Sequence, residues 1–198
     1  MTKTLKIGVA GLIGAGKSSL MQYLHKRGFP TVDADAEVHF LYANSQELRQ
    51  SLAQNFGKEV LSSSGVNRAE LGAIVFNDAS KLQLLESLVH PLLFTHIQRK
   101  LADLAAETSQ KAVFVEGALL NSWPHLLVEL DQVWELQAPE NIRLERVLAR
   151  GSTLADAQAK IASQKDLPAI AHNCLKAVDN SRDLPHLEAQ AQKLISAL

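Results

Sequence analysis

The chain is poor in cysteine, carries no excess charge of either sign, and has no long apolar run. Cys174 is its one cysteine among 198 residues. No disulfide framework can form within the chain, and a reducing, cytoplasmic setting is expected. Lysine and arginine number 20 against 21 acidic residues, a formal net charge of −1. The basic excess that neutralises a polyanion is missing, so neither a nucleic acid nor a membrane is an expected partner. Apolar stretches stop well short of the ~18 residues of a membrane helix. Residues 7–16 (IGVAGLIGAG), behind Lys3 and Lys6, could pass for a weak signal peptide. That stretch is short, glycine-rich and leads into Lys17, so a buried strand and loop is the better reading. His172 and Cys174 stand outside any C-x₂-C or H-E-x-x-H spacing, which excludes a zinc site there. Cys174 reads as a core residue. Internal repeats and low-complexity tracts are absent as well. What is there is ordinary globular composition, 46% apolar and 21% charged. At roughly 150 residues per domain the length suits one domain with an inserted sub-domain.

Strands and helices alternate along the chain. Leu5 to Ala10 is apolar, ends at Gly11, and predicts a buried strand. A helix is expected over Ser18 to Arg27, with Leu20 and Leu24 four apart and Gly28 as its stop. Thr31 and Val32 suggest a short second strand. From Ala36 to about Thr108 the pattern is helical, with no convincing strand. Leu48, Leu52 and Phe56 repeat at four, and Asn67 with Glu70 forms a capping pair. His90-Pro91 predicts a break or restart in the helix there. Ala112 to Val115 and Val133 to Leu136 read as strands. Pro139 and Glu140 open a helix ending at Gly151. Another helix is expected over Leu154 to Gln164, a last short strand at Ala177–Val178, and a closing helix through Leu187, Ala191, Leu194 and Leu198. Such alternation means an α/β fold with a central parallel sheet and helices on both faces.

Residues 11–18 read G-L-I-G-A-G-K-S, the GxxxxGK[ST] phosphate loop, between a predicted strand and a predicted helix. Gly11, Gly14 and Gly16 let the backbone turn tightly and approach phosphate oxygens. The N–H groups from Gly14 and Ala15 through Gly16, Lys17, Ser18 and Ser19 would form an anion nest at a helix N-terminus. Lys17 adds a point charge on the β- and γ-phosphates, and the Ser18 hydroxyl is a ligand for Mg²⁺. The alternative is a glycine-rich turn that binds nothing. A chance match in this length is on the order of 1%. ATP and Mg²⁺ are the expected cofactors. No N-K-x-D guanine motif and no L-S-G-G-Q occurs.

Phosphoryl transfer to a small molecule also needs an acid to orient and deprotonate the attacking hydroxyl. Asp33-Ala34-Asp35 ends the second predicted strand, at the sheet edge where open α/β folds bind ligands. In an extended segment Asp33 and Asp35 would share a face. Asp33 is the candidate catalytic base. Asp35 is a candidate substrate contact, or a helix N-cap. Glu116 ends the third apolar strand and could hold Mg²⁺ through water, or be a solvated strand end. Arg143, Arg146 and Arg150 fall near one face of one helix. Arg146 and Arg150 could neutralise phosphate or stack on adenine, or form a charged surface with Glu140 and Glu145. His90 is a candidate substrate contact or a simple helix junction. Arg68 is a substrate-phosphate contact or a surface charge.

These residues together resemble the dephospho-coenzyme A kinase family over almost the whole chain. The likeness is carried by G-L-I-G-A-G-K-S-S, V-D-A-D at 32–35, N-R-A-E-L-G-A-I-V-F-N-D at 67–78 and L-E-S-L-V-H-P at 85–91. P-E-N-I-R-L-E-R-V-L-A-R at 139–150, Gln164 and V-D-N-S at 178–181 continue it. The resemblance implies a P-loop three-layer fold. It further implies transfer of the ATP γ-phosphate to the ribose 3′-hydroxyl of dephospho-coenzyme A, the last step of coenzyme A synthesis. By the same resemblance Asp33 is the base, Lys17 the phosphate lysine and Ser18 the metal hydroxyl. It implies a nucleotide core of 1–35, 111–150 and 176–198, a helical coenzyme-A-binding sub-domain at 36–110 and a lid at 151–175. A monomer or weak homo-oligomer in the cytoplasm is expected. The chain departs from the family where Ala118-Leu119-Leu120-Asn121-Ser122 replaces Pro-Leu-Leu-Phe-Glu. Lys160 stands where the family has arginine, and Ile170, Asn173 and Leu175 stand near a Lys, an Arg and an Asp. Two further readings stay open: a nucleotide- or coenzyme-A-binding homologue with weakened catalysis, and a kinase for another small hydroxyl compound.

Overall fold

A computed structural model describes residues 3–76 and 78–198. Met1 and Thr2, at the start of the expected core, and Asn77, within the 67–78 block, lie outside the described residues. Contacts divide the chain into two compact units, one running to Asp33 and resuming at Lys100–Leu198, the other Ala34–Arg99.

The first unit is built on a parallel sheet. β1 (Leu5–Ala10) is followed by the phosphate loop, α1 (Lys17–Lys26) and β2 (Thr31–Asp33). In the second unit come α2 (Ala34–Asn44), α3 (Gln46–Phe56), β3 (Leu61–Ser62), β4 (Gly65–Val66) and α4 (Arg68–Val75). α5 (Ala79–Glu107) leads back to β5 (Ala112–Glu116), α6 (Pro124–Leu127), β6 (Gln132–Gln137) and α7 (Glu140–Leu148). α8 (Leu154–Ala162), β7 (Leu175–Asp179) and α9 (Leu184–Ser196) complete the chain. The sheet order is β2-β5-β1-β6-β7, with every pairing parallel.

Burial on both faces explains why β1, β5 and β6 read as continuous apolar runs. Ile7 and Val9 pack with Phe114, Trp134 and Leu136 against Leu20 and Leu24 of α1 and Leu187 and Ala191 of α9. Phe114 meets Phe29 edge-on at 5.4 Å and Trp134 at 5.1 Å between ring centroids. Because strand side chains alternate, Val113, Val115 and Val133 point to the other face, all fully buried. Leu120 and Leu130 close over Gly8 on that side.

The second unit buries Leu48, Leu52, Val60, Leu71, Leu93 and Ile97. Ser45 caps α3 by accepting the Leu48 N–H at 3.2 Å, and Asn67 caps α4 by accepting that of Glu70 at 3.4 Å. Glu37, buried, holds His96 at 2.7 Å, and Phe40 stacks on the His96 ring at 5.2 Å.

Four local expectations are corrected, the first being Cys174, which is half-buried just before β7 and not a core residue. α5 does not break at His90-Pro91: Pro91 lies inside one 29-residue helix. A two-stranded antiparallel ribbon, β3 with β4, stands where only helix was expected. Asp35 neither caps a helix nor shares an extended face with Asp33, because α2 begins at Ala34 and Asp35 sits in its first turn.

Candidate active site

The phosphate loop spans Gly11–Gly16, between the carboxyl end of β1 and the first turn of α1. The opening N–H groups of any helix lack an intrahelical partner, and the helix dipole favours an anion beside them. Gly14 and Gly16 are required by geometry. Their φ values are +77° and +103°, and both residues are buried. A Cβ on Gly14 would lie 2.5 Å from the Arg143 carbonyl oxygen, and one on Gly16 would collide with the Asn180 amide.

Side chains from three distant elements grip the loop. Asn180, buried at the end of β7, donates to the Ala15 carbonyl at 2.7 Å. Arg146 donates to the Gly14 carbonyl at 3.4 Å and to the Arg182 carbonyl at 2.8 Å. Gln164 accepts the Ile13 N–H at 2.6 Å. Lys17 Nζ donates to the Gly11 carbonyl at 2.8 Å. With the Ala15 carbonyl held by Asn180, the opposite edge of that peptide plane, the Gly16 N–H, turns toward the nest.

Open cavities flank the loop, two of them lined by expected site residues. The first, about 520 Å³, is lined by Ser18, Gln22, Asp33 and Glu116. Sheet register explains their meeting. Asp33 pairs directly with Glu116 across β2 and β5, and Val9 of β1 pairs with the same Glu116. A hydroxyl and two carboxylates thus share one rim with the start of α1. Ser18 and Asp33 are exposed, and Glu116 is half-buried. The second cavity, about 380 Å³, is lined by Gly16, Ser19, Arg146, Arg150, Asn180 and Arg182.

The remaining expected residues lie in the Ala34–Arg99 unit. Arg68 opens α4 and lines a cavity of about 270 Å³ with His39 and Tyr42. Burial pushes the Tyr42 hydroxyl above its ordinary pKa, against the opposing pull of the Arg68 charge. His90 stacks on Phe94 at 5.3 Å; burial lowers its pKa, and the Glu86 charge opposes that shift. Asp35 is exposed on α2.

Sequence reasoning assigned no role to Asn180 or Gln164, although Gln164 and the V-D-N-S block that holds Asn180 both match the family. An asparagine closing a strand, as in V-D-N-S, was the available signal for Asn180. Gln164 carried no local signal, because its partner is 151 residues away. Asn121, in the altered segment, donates to the Pro168 carbonyl at 3.2 Å.

A phosphate loop after the first strand, an acid at the next strand end and a parallel sheet with flanking helices define a P-loop kinase. A dephospho-CoA kinase family model matches residues 5–185, and the chain belongs to that family. Dephospho-CoA kinase from Helicobacter pylori is 32% identical over 97% of this chain and 96% of its own. That from Enterococcus faecalis is 31% identical over 98% and 96%. Among solved structures, TT1252 from Thermus thermophilus superposes with a TM-score of 0.78 at 26% identity, covering 98% of this chain and 97% of that one. Dephospho-CoA kinase from Campylobacter jejuni gives 0.69 at 26% identity, covering 96% and 95%. Among the described residues no helix is long and apolar enough to cross a membrane.

Proposed function

We propose that the protein transfers the γ-phosphate of ATP to the ribose 3′-hydroxyl of dephospho-coenzyme A. The observation that carries this is the shared rim of Ser18, Asp33 and Glu116 beside the phosphate loop, in a chain of the dephospho-CoA kinase family.

The roles follow from the chemistry of each group. The N–H groups of Gly14 and of Gly16 to Ser19 receive the ATP phosphates, that of Ala15 being given to the Leu12 carbonyl, and Lys17 neutralises charge between the β- and γ-phosphates. Arg146 and Arg150, beside Ser19 in the second cavity, receive the nucleoside, where a planar guanidinium can stack on a purine. Asp33 accepts the proton of the acceptor hydroxyl as its oxygen bonds to the γ-phosphorus. The bond from that phosphorus to the β-bridging oxygen breaks, and ADP leaves. Ser18 and Glu116 offer hard oxygen donors of the kind Mg²⁺ takes, and they face one cavity. Mg²⁺ bound there would draw charge from the phosphate oxygens. Asp35, Arg68 and His90 belong to the acceptor side, with 36–110 as the helical coenzyme-A-binding sub-domain. Residues 151–175 form a lid that excludes water, the competing acceptor. The cytoplasm is the proposed compartment, since the substrate is ATP and the lone Cys174 is a free thiol.

The test incubates purified protein with Mg-ATP and dephospho-coenzyme A and follows coenzyme A formation. Asp33→Asn is expected to lower kcat by at least about 100-fold with ATP affinity retained. Unchanged kcat in that variant would remove Asp33 as the base. ATP binding without turnover in the parent protein would favour a nucleotide-binding homologue, which the missing lid cations at Ile170 and Asn173 motivate.

A further inference from the structure

Ile13 stands within the phosphate loop, three residues past the end of β1 and one before Gly14. Both polar groups of its backbone are held by side chains from elsewhere. Its N–H donates to Gln164 Oε1 at 2.6 Å. Its carbonyl accepts from an Arg143 guanidinium nitrogen at 3.5 Å. The neighbouring Leu12 carbonyl accepts the Ala15 N–H at 3.0 Å. The Leu12–Ile13 peptide plane is therefore pinned at both edges, by Ala15 on its oxygen and Gln164 on its N–H. A peptide is rigid and planar. Pinning this plane, with Arg143 on the next, sets where the Gly14 N–H points, and Gly14 opens the nest.

Gln164 is two residues past α8, at the start of the stretch that returns to the sheet. That stretch is fastened at two more points. Asn121 donates to the Pro168 carbonyl at 3.2 Å. The His172 ring pairs Nε2 with the Leu130 carbonyl at 2.9 Å and accepts the Cys174 N–H on Nδ1 at 3.0 Å. Of these three fastenings, Gln164 is the one on the phosphate loop itself. Gln164 is half-buried, where an amide without a partner is costly.

We infer that Gln164 is a positioning residue of the phosphate loop. From the segment after α8 it holds the Leu12–Ile13 peptide, and so orients the N–H groups that receive phosphate. The inference rests on the kinase reading only for its effect on turnover.

Gln164→Met keeps side-chain length and removes the amide acceptor. One hydrogen bond contributes about 3- to 10-fold in an equilibrium. Calorimetric titration with ATP is expected to show affinity about 3- to 10-fold weaker. kcat falls at least as far, while KM for dephospho-coenzyme A stays unchanged. Amide exchange is expected to show Ile13 protected in the parent protein, unprotected in Gln164→Met, and protected in Gln164→Glu, which keeps an acceptor oxygen. Parental ATP affinity and kcat in Gln164→Met, or an Ile13 amide equally protected in it, would overturn the inference. If Gln164→Met melts too low to assay, Gln164→Glu decides, since loss of Ile13 protection there is equally fatal. A parent protein that forms no coenzyme A would end the kinase reading and leave ATP titration and exchange to judge Gln164.

Discussion

At Gly14 the demands on one residue can be read from two sides. Its φ of +77° is a conformation L residues rarely adopt, and the Arg143 carbonyl oxygen fills the space a Cβ would need. Gly14→Ala is expected to cost about 1–3 kcal/mol of stability and to weaken ATP binding by at least about tenfold, because the loop must shift away from α7. Urea denaturation and ATP titration measure the two effects separately. The glycines were legible from spacing alone, because phosphate approach requires them wherever the loop occurs. Asn180 was not. Its amide supports the loop only because β7 pairs beside β6 and delivers it to Ala15. Asp33 was readable as an acid at a strand end. That it stands opposite Glu116 depends on the register of β2 with β5, which no local pattern encodes.

Among the elements, the long helix α5 departs furthest from expectation. Proline removes one i→i−4 hydrogen bond and crowds the preceding turn, so a break at Pro91 was the local prediction. The helix continues because its buried stripe of Val89, Leu93, Ile97 and Leu101 runs on past the proline, and packing outweighs propensity. Thr95 donates to the Pro91 carbonyl at 3.0 Å. Pro91 itself is exposed, so Pro91→Ala should raise stability by about 1–3 kcal/mol, seen as a higher urea midpoint with an unchanged denaturant slope. The ribbon of β3 and β4 escaped notice because two-residue strands carry no periodicity. β7 is longer than its apolar core because it is a sheet edge. Of its residues only Val178 is buried, and Leu175 to Ala177 are strand by pairing with Val133 to Glu135.

Across the whole molecule, Asp131 joins distant parts of the first unit. Burial would raise its pKa. The Lys3 ammonium at 2.5 Å, the Lys6 N–H at 2.8 Å and the two lysine charges outweigh this and lower it. A carboxyl whose folded pKa is depressed contributes stability above its unfolded pKa. That contribution is lost as pH falls through the folded value. Asp131→Asn should therefore melt below the parent protein at neutral pH, with the gap closing in acid beneath the ordinary carboxylate range; a gap independent of pH would contradict this. Such long-range ties separate the two sources of information about this chain. Composition, glycine spacing and apolar runs were enough for an α/β fold, a phosphate loop and the acids at strand ends, because each depends on residues adjacent in sequence. The partnering of Asp33 with Glu116, the grip of Asn180 and Gln164 on the loop, and the unbroken course of α5 arise from strand register, from contacts across more than a hundred residues and from burial of a helix stripe. These are settled when the sheet assembles and not before, since no short window of sequence contains both partners.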